Sequence, residues 1–258
     1  MDRLQLWQAA NLVQKFDEGS SIYADFLATS GNIVLGADAR SPTLPSEALS
    51  LPEFASATQV VPMKFPDAYD RDIFASQKTD VQSRWTDLWK RVLADSNAMS
   101  ICSVRNDLCS KAERRFLSIV ETGRKVDGRA RLGWVNRAVN LIIRPMSDWA
   151  QYGYAQYWAS PLQTLGSGAG DCKDYAIVKF AILRQLGIDQ DDLRLVIVYD
   201  SSRQTEHEVV AVRHEQQWLI LDNLTMSVLD ARQIGRYYPL FVLDYRGARD
   251  FAPTVAQR

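Results

Sequence analysis

The stretch between residues 172 and 223 constrains the fold more than any other, because it changes from a helical pattern to a pattern of strands. Residues 172–186 carry apolar side chains at helical spacing, and Gly187 follows as a left-handed terminator. Three strand-like runs come next, at residues 193–199, 206–213 and 218–223. A helix followed by antiparallel strands predicts an α+β fold.

The chain before this stretch combines helical patterns with one proline-rich segment. An amphipathic helix is predicted over residues 2–16, and five of the nine prolines fall within residues 42–66, where we expect an extended arm. A further helix should begin after an Asp80 cap and bury its tryptophans. We therefore divide the chain into a helical and proline-rich extension, residues 1–99, and a core, residues 100–250.

Two helices are expected in the first part of this core. Ser110 and Glu113 have the spacing of a capping box, which predicts a helix through about residue 120. Apolar side chains at helical spacing predict a second helix, which ends before Pro145. Both helices are expected to pack on the later helix and strands.

Composition excludes several classes of protein. The 258 residues are 47% hydrophobic, which suffices for one large domain or two small ones, and acidic and basic residues are interspersed with a net charge of −1. The sequence has neither a basic stripe for nucleic acid nor the ~20-residue apolar run of a membrane span. Its first residues lack the features of a signal peptide, so we expect either a cytosolic protein or a signal outside this sequence. We expect a monomer.

Cys172 is the candidate nucleophile. It stands between a glycine-rich turn and the start of the predicted helix, where unpaired N–H groups lower the pKa of a thiol. The glycines allow a substrate to approach closely, and the N–H of Cys172 is a candidate donor to an oxyanion. The default interpretation of an isolated cysteine is nevertheless a buried structural thiol.

His207 and Asp222 are the candidate base and its orienting carboxylate, since a nucleophilic cysteine needs both. If residues 214–217 turn a hairpin, Ala211 faces Ile220 across the two strands. His207 then lies diagonal to Asp222 on the same side of the sheet, within reach of a hydrogen bond. The sequence therefore predicts a triad of the kind used in acyl transfer.

Glu206 and Glu208 flank His207 and could be mistaken for a catalytic carboxylate pair. Strand alternation places both on the face opposite His207. We therefore interpret them as solvated or core-edge charges. His214, the other histidine of the chain, falls at the predicted turn and is not expected to take part.

Cys102 and Cys109 allow two interpretations. Six residues separate them, which fits no usual zinc pattern, so a structural metal is not expected. They are either two reduced, partly buried thiols or a disulfide that closes an eight-residue loop. The disulfide would contribute about 2.5 kcal/mol in the chain-entropy model.

Three ordered blocks carry a family resemblance that extends over residues 100–245. They are GDCKDYAIVKFAILRQLGI, EHEVVAV and LILDN, and the helical segment WVNRAVNLIIRPMSDWAQYGYAQYWASPLQTL precedes them. The sequence resembles the bacterial transglutaminase-like cysteine peptidases, which include the LapG-type periplasmic proteases that release large biofilm adhesins. The resemblance implies a papain-like, transglutaminase-like α+β fold, with Cys172 as nucleophile, His207 as base and acid, and Asp222 as orienting residue.

The resemblance also implies a location and partners. LapG-type enzymes are periplasmic and cut beside small residues in the N-terminal region of an adhesin, and some are held in check by a membrane receptor that responds to cyclic di-GMP. We therefore expect a periplasmic protein with a protein substrate and an inner-membrane regulator of this kind. Export favours a disulfide between Cys102 and Cys109.

The residues around the nucleophile also bear on calcium. The family commonly reads GDCEDYA, and acidic residues at this place are associated with calcium in LapG-type members. This chain keeps Asp171 and Asp174 as candidate calcium ligands but has Lys173 in place of the glutamate. A lysine removes one oxygen ligand and adds positive charge, whereas calcium requires several oxygens. We therefore expect no required cofactor, and we expect Lys173 to favour the thiolate of Cys172.

Two alternatives to peptide hydrolysis remain open at this point. The same triad could pass the acyl group to an amine, as a transglutaminase-type acyltransferase does. A catalytically silent peptide-binding module could also keep the fold, although the complete set of Cys172, His207 and Asp222 argues against it.

Overall fold

The computed structural model describes residues 68–76 and 78–252. The helix expected at residues 2–16 and the proline-rich segment at residues 42–66 lie outside the described residues. The elements below therefore belong to the later part of the chain.

The strands of the described residues form one large sheet and one small pair. In chain order they are β1 (Ile73–Ala75), β2 (Arg144–Pro145), β3 (Ala169–Gly170), β4 (Leu193–Asp200), β5 (Thr205–His214), β6 (Gln217–Leu221), β7 (Leu229–Asp230), β8 (Tyr237–Asp244) and β9 (Gly247–Phe251). β2 and β3 pair in parallel, while the other seven form an antiparallel sheet in the order β1-β9-β8-β4-β5-β6-β7. The three predicted strands correspond to β4, β5 and β6, so the expected α+β fold is confirmed.

Six α-helices lie within the described ranges. They are α1 (Thr79–Val104), α2 (Lys111–Gly123), α3 (Gly128–Ile142), α4 (Asp148–Tyr152), α5 (Pro161–Ser167) and α6 (Cys172–Gln185). The predicted capping box is present at the start of α2, where the Glu113 N–H donates to Ser110 Oγ at 3.2 Å. Across the described residues no helix is both long and apolar enough to span a membrane.

The large sheet has an apolar core on each face. Helices α1, α2, α3, α5 and α6 contribute side chains to the core on one face, in which Phe180 of α6 and Val210 of β5 belong to the same cluster. A smaller cluster, which includes Val209 and Trp218, covers the other face. Burying one large apolar side chain contributes about 1.5–3 kcal/mol, so this packing fixes α6 firmly against the sheet.

Helix α1 crosses the boundary predicted between residues 99 and 100. It begins at Thr79 rather than after an Asp80 cap. Its Trp85 is buried in the same cluster as α6 and donates from Nε1 to the carbonyl oxygen of Asp244 at 2.8 Å. The helical layer that packs on the sheet thus starts before residue 100, because the apolar face of α1 shares this core.

The hairpin of β5 and β6 has the register that strand alternation predicts. Ala211 pairs with Ile220. Glu215 and Gln216 form the turn with positive φ values of 50° and 62°, as in the primed turns that suit two-residue hairpins. This register places Asp222 directly after β6 and beside the first half of β5.

Cys102 and Cys109 are joined by a disulfide in the structure. Cys102 lies on the last turns of α1, and Cys109 lies just before α2; both are buried. The bond therefore links the end of one helix to the start of the next. Cys172 carries a free thiol and is partly exposed.

Candidate active site

Two glycines shape the turn that precedes Cys172. Gly168 has a φ of 66° and ends α5 in the left-handed region. Gly170 has no room for a side chain, since a Cβ there would lie 2.6 Å from the Cβ of Asp174. The close approach accompanies a 3.0 Å hydrogen bond from the Asp171 N–H to Asp174 Oδ2, which stabilises the first turn of α6.

The structure brings His207 and Asp222 into direct contact. His207 Nε2 lies 2.8 Å from Asp222 Oδ1, and both side chains are buried. The Leu224 N–H donates to the same oxygen at 3.0 Å, and the Tyr237 hydroxyl donates to Asp222 Oδ2 at 2.6 Å. Donors on three chain segments thus hold the carboxylate, which in turn orients the imidazole. Strand alternation did not reveal Tyr237, because it lies on a strand that does not neighbour β5.

These contacts set the pKa of Asp222. Burial raises the pKa, but the hydrogen bond and charge of His207 and the Leu224 and Tyr237 donors together outweigh burial and lower the pKa to about 2. Asp222 is therefore ionised at neutral pH. An ionised carboxylate can only accept a hydrogen bond, so Nε2 of His207 carries a proton and Nδ1 is the nitrogen that faces no acceptor or donor among the described residues.

The reactive atoms of three side chains converge at the start of α6. Cys172 Sγ, one ring nitrogen of His207 and one carboxylate oxygen of Glu208 all lie within 4.8 Å of one another. Among the described residues, nothing hydrogen-bonds to the buried Nδ1 of His207. The Cys172 thiol thus lies close to an imidazole whose Nδ1 has no hydrogen-bond partner among the described residues.

Glu208 lies half-buried at the edge of the core and contacts the thiol, a contact that its interpretation as a solvated or core-edge charge did not include. Cys172 Sγ donates to Glu208 Oε2 at 2.7 Å. Glu208 does point away from the face of His207, but its own face continues with Val210 and Val212, which pack in the cluster that contains α6. Those two valines were the sequence signal that this face is buried.

The thiol itself is not activated in the free protein. Burial raises the pKa of Cys172 well above its ordinary value, and the negative charges of Glu208 and Asp171 raise it further. Burial and the two carboxylates thus act against the lowering of this pKa that was expected from the helix start and Lys173. The resting side chain is a neutral thiol.

Lys173 lies among three carboxylates. Its Nζ is 2.7 Å from Asp148 Oδ2, 2.6 Å from Asp171 Oδ2 and 3.9 Å from Asp174 Oδ2. Burial lowers the pKa of this lysine, but the charges of the aspartates reverse the effect and give a net rise. For Asp174, burial raises the pKa to about 7, although the positive charge of Lys173 acts to lower it. Sequence spacing could not reveal Asp148, since it lies on α4.

The same three aspartates are the candidate metal ligands of this site. One carboxylate oxygen from each lies within 4.8 Å of the others, so the set is close enough together to hold an ion. Asp171 and Asp174, the candidate ligands named from the sequence, are thus joined here by Asp148.

Comparison with known proteins gives the family. Residues 91–239 match the family described as bacterial transglutaminase-like cysteine proteinase. A structure of Legionella pneumophila LapG is 24% identical, with a TM-score of 0.50, over 60% of this chain and 87% of that one. The EGTA-treated form is 24% identical, with a TM-score of 0.51, over 61% and 86%. The calcium-bound form is 22% identical, with a TM-score of 0.51, over 62% and 93%. No curated protein sequence is a significant match.

The family match makes this chain a transglutaminase-like cysteine peptidase, and the helical layer on an antiparallel sheet with a free thiol at the start of α6 agrees with it. The family match spans more than half of the chain. The chain belongs to the bacterial transglutaminase-like cysteine proteinase family, which confirms the resemblance found in the sequence.

Proposed function

We propose that this protein is an endopeptidase that cleaves its substrate through a Cys172, His207 and Asp222 triad and an acyl-enzyme. One arrangement carries the proposal. Asp222 engages His207 Nε2 at 2.8 Å, while Nδ1 has no partner in the described part of the chain and the Cys172 thiol lies within 4.8 Å of the imidazole. This is the geometry of a nucleophile, a base and an orienting group.

Acylation begins when the thiol turns from Glu208 to His207. Nδ1 takes the thiol proton as Sγ bonds to the carbonyl carbon, and the π electrons of the carbonyl move to its oxygen. The N–H of Cys172, at the open start of α6, is the candidate donor to this oxyanion. The carbon–nitrogen bond then breaks, and His207 gives its proton to the leaving amine while the ionised Asp222 stabilises the imidazolium.

Deacylation uses water and the same base. His207 takes a proton from the water as its oxygen attacks the thioester carbonyl. Collapse of this second intermediate breaks the carbon–sulfur bond and releases the carboxylic acid, and the proton on His207 returns to the thiolate. The neutral thiol in contact with Glu208 is thereby restored.

The natural substrate, location and regulator are proposed from the family resemblance. We propose that the substrate is an exported cell-surface adhesin, that cleavage takes place in the periplasm beside small residues, and that an inner-membrane receptor responsive to cyclic di-GMP controls it. The disulfide between Cys102 and Cys109 supports an oxidising compartment.

We further propose that cleavage requires no metal. One of the similar LapG structures is calcium-bound, and Asp148, Asp171 and Asp174 are the residues that would hold such an ion here. However, the Lys173 ammonium already lies within hydrogen-bonding distance of two of these carboxylates. The residues present therefore do not fit a calcium ion while Lys173 occupies its place, and no step above involves one.

A peptide library separates this proposal from its alternatives. Mass spectrometry after incubation should show cleaved bonds with the wild type and with His214→Ala, the matched control for the second histidine. Cleavage should be lost in Cys172→Ala and His207→Ala. Products in which an added primary amine replaces water would indicate an acyltransferase, and the absence of any product that depends on Cys172 would indicate a binding module.

A further inference from the structure

We infer that Lys173 takes the place of a metal ion in this protein: its ammonium holds Asp148, Asp171 and Asp174 together and thereby positions the first turn of the nucleophile's helix. The inference rests on the proposed function, since it concerns the same site. It assigns Lys173 as a positioning residue that makes the enzyme independent of calcium.

The contacts of the ammonium resemble those of a bound cation. Nζ donates to both oxygens of Asp171, at 2.7 and 2.6 Å, and also lies 2.7 Å from Asp148 Oδ2. A third carboxylate, Asp174, is 3.9 Å away. Lys173 and Asp148 are 6% and 3% exposed, so water does little to screen these charges.

A calcium ion and the ammonium exclude each other. Calcium binds its oxygen ligands at about 2.3–2.6 Å and takes six to eight of them. An ion bound to Asp171 and Asp148 would therefore fall on the position of Nζ, at close to the same distances. Within the described part of this cluster, only two carboxylate oxygens lack a hydrogen-bond partner, Asp148 Oδ1 and Asp174 Oδ1. Two oxygens are too few to bind a calcium ion beside the lysine.

The ammonium connects two segments that form the site, and Asp148 extends the connection to a third. Asp171 and Lys173 belong to the turn and first residues of α6, where Cys172 lies between them. Asp148 opens α4, and its Oδ2 also accepts a hydrogen bond from the Tyr157 N–H at 2.6 Å. Through Asp148, Lys173 thus ties the nucleophile's turn to the segment before α5.

The test compares the wild type with Lys173→Glu, which removes the ammonium and supplies a fourth carboxylate. Lys125→Glu is the matched control, because it makes the same charge change at an exposed lysine. Each protein is heated with calcium chloride and with EGTA to measure its melting temperature, and the labelling rate of Cys172 by a peptide electrophile is measured in both solutions.

The wild type and Lys125→Glu should give the same melting temperature and labelling rate with calcium and with EGTA. Lys173→Glu in EGTA should label on the order of 10- to 100-fold more slowly, because the turn is no longer held. Calcium should raise its melting temperature and restore much of its labelling rate. Rescue by an added ion would show that the role is that of a cation and not of the lysine side chain's bulk.

Calcium stabilisation of the wild type that disappears in Asp171→Asn would overturn the inference, and this comparison holds even where Lys173→Glu fails to fold. A Lys173→Glu protein that folds but responds to neither calcium nor EGTA would overturn it as well. Failure of the proposed function looks different. In that case the wild type would not be labelled at Cys172 in either solution, while the melting temperatures would still report on the role of Lys173.

Discussion

Replacing Glu208 with glutamine should make Cys172 more reactive at neutral pH. The carboxylate accepts the thiol hydrogen bond at 2.7 Å, and its negative charge opposes formation of a thiolate. The amide keeps the size of the side chain and can still accept a hydrogen bond, but it carries no charge. The expected result is therefore a lower pKa of the thiol.

The distance sets the size of this effect. Two like charges 2.7 Å apart repel by about 1.5 kcal/mol even in a medium as polar as water, and the effect grows as the site becomes less polar. This corresponds to about one pKa unit, or about tenfold more thiolate at a pH below the pKa. A less basic thiolate is also a weaker nucleophile, with a Brønsted slope of about 0.4–0.5, so the net gain in labelling rate is about three- to fourfold.

The assay is the rate of alkylation of Cys172 by iodoacetamide between pH 5 and pH 10, for the wild type, Glu208→Gln and Glu206→Gln. Glu206 is the matched control, since it lies on the same strand, two residues from Glu208, and is exposed. The midpoint should move to lower pH in Glu208→Gln alone. An unchanged or higher midpoint, or an equal shift in the Glu206 variant, would refute the assigned role of Glu208.

Three further predictions concern stability and covalent structure. The pKa of Asp222 is about 2 in the folded protein and about 4 in the unfolded chain. Ionised Asp222 therefore adds on the order of 2 kcal/mol to the free energy of unfolding above pH 4, and this contribution is lost as the pH falls towards 2. Urea unfolding should therefore show the advantage of the wild type over Asp222→Asn shrinking across that interval; a constant or growing advantage would contradict the assignment. Denatured protein should contain one reactive thiol before reduction and three after it, and three before reduction would exclude the disulfide. In urea unfolding, Gly170→Ala should have a free energy of unfolding about 1–3 kcal/mol lower than the wild type, because the new Cβ would lie 2.6 Å from the Cβ of Asp174. The control Gly166→Ala lies within α5, and its nearest contact is 3.9 Å, so its free energy of unfolding should not fall and should rise by about 0.5–1 kcal/mol.

Hydrophobic periodicity predicted the helices and strands that have one buried face. Alternation along β5 and β6 gave the register of Ala211 with Ile220, because a one-residue slip would turn every apolar side chain to the wrong face. The same alternation brought His207 and Asp222 together as candidates. Helix α6 could be predicted for a similar reason, since its apolar spacing and Gly187 mark its course and end.

Contacts between distant elements could not be read from periodicity. Asp148 meets Lys173 only because α4 packs beside the turn before α6, and Tyr237 reaches Asp222 from β8. The contact of Glu208 with the thiol was missed for a related reason. Alternation shows which residues share a face, but only the position of α6 shows what covers that face.

Covalent trapping of Cys172 shows whether it is the nucleophile and whether His207 is its base. The wild type, Cys172→Ala and His207→Ala are incubated with a peptide carrying a thiol-directed electrophile, and the modified residue is identified by mass spectrometry of the digested protein. We expect one adduct, on Cys172, that forms rapidly in the wild type, slowly in His207→Ala and not at all in Cys172→Ala. Undiminished labelling of Cys172→Ala, or equal rates in the wild type and His207→Ala, would contradict it.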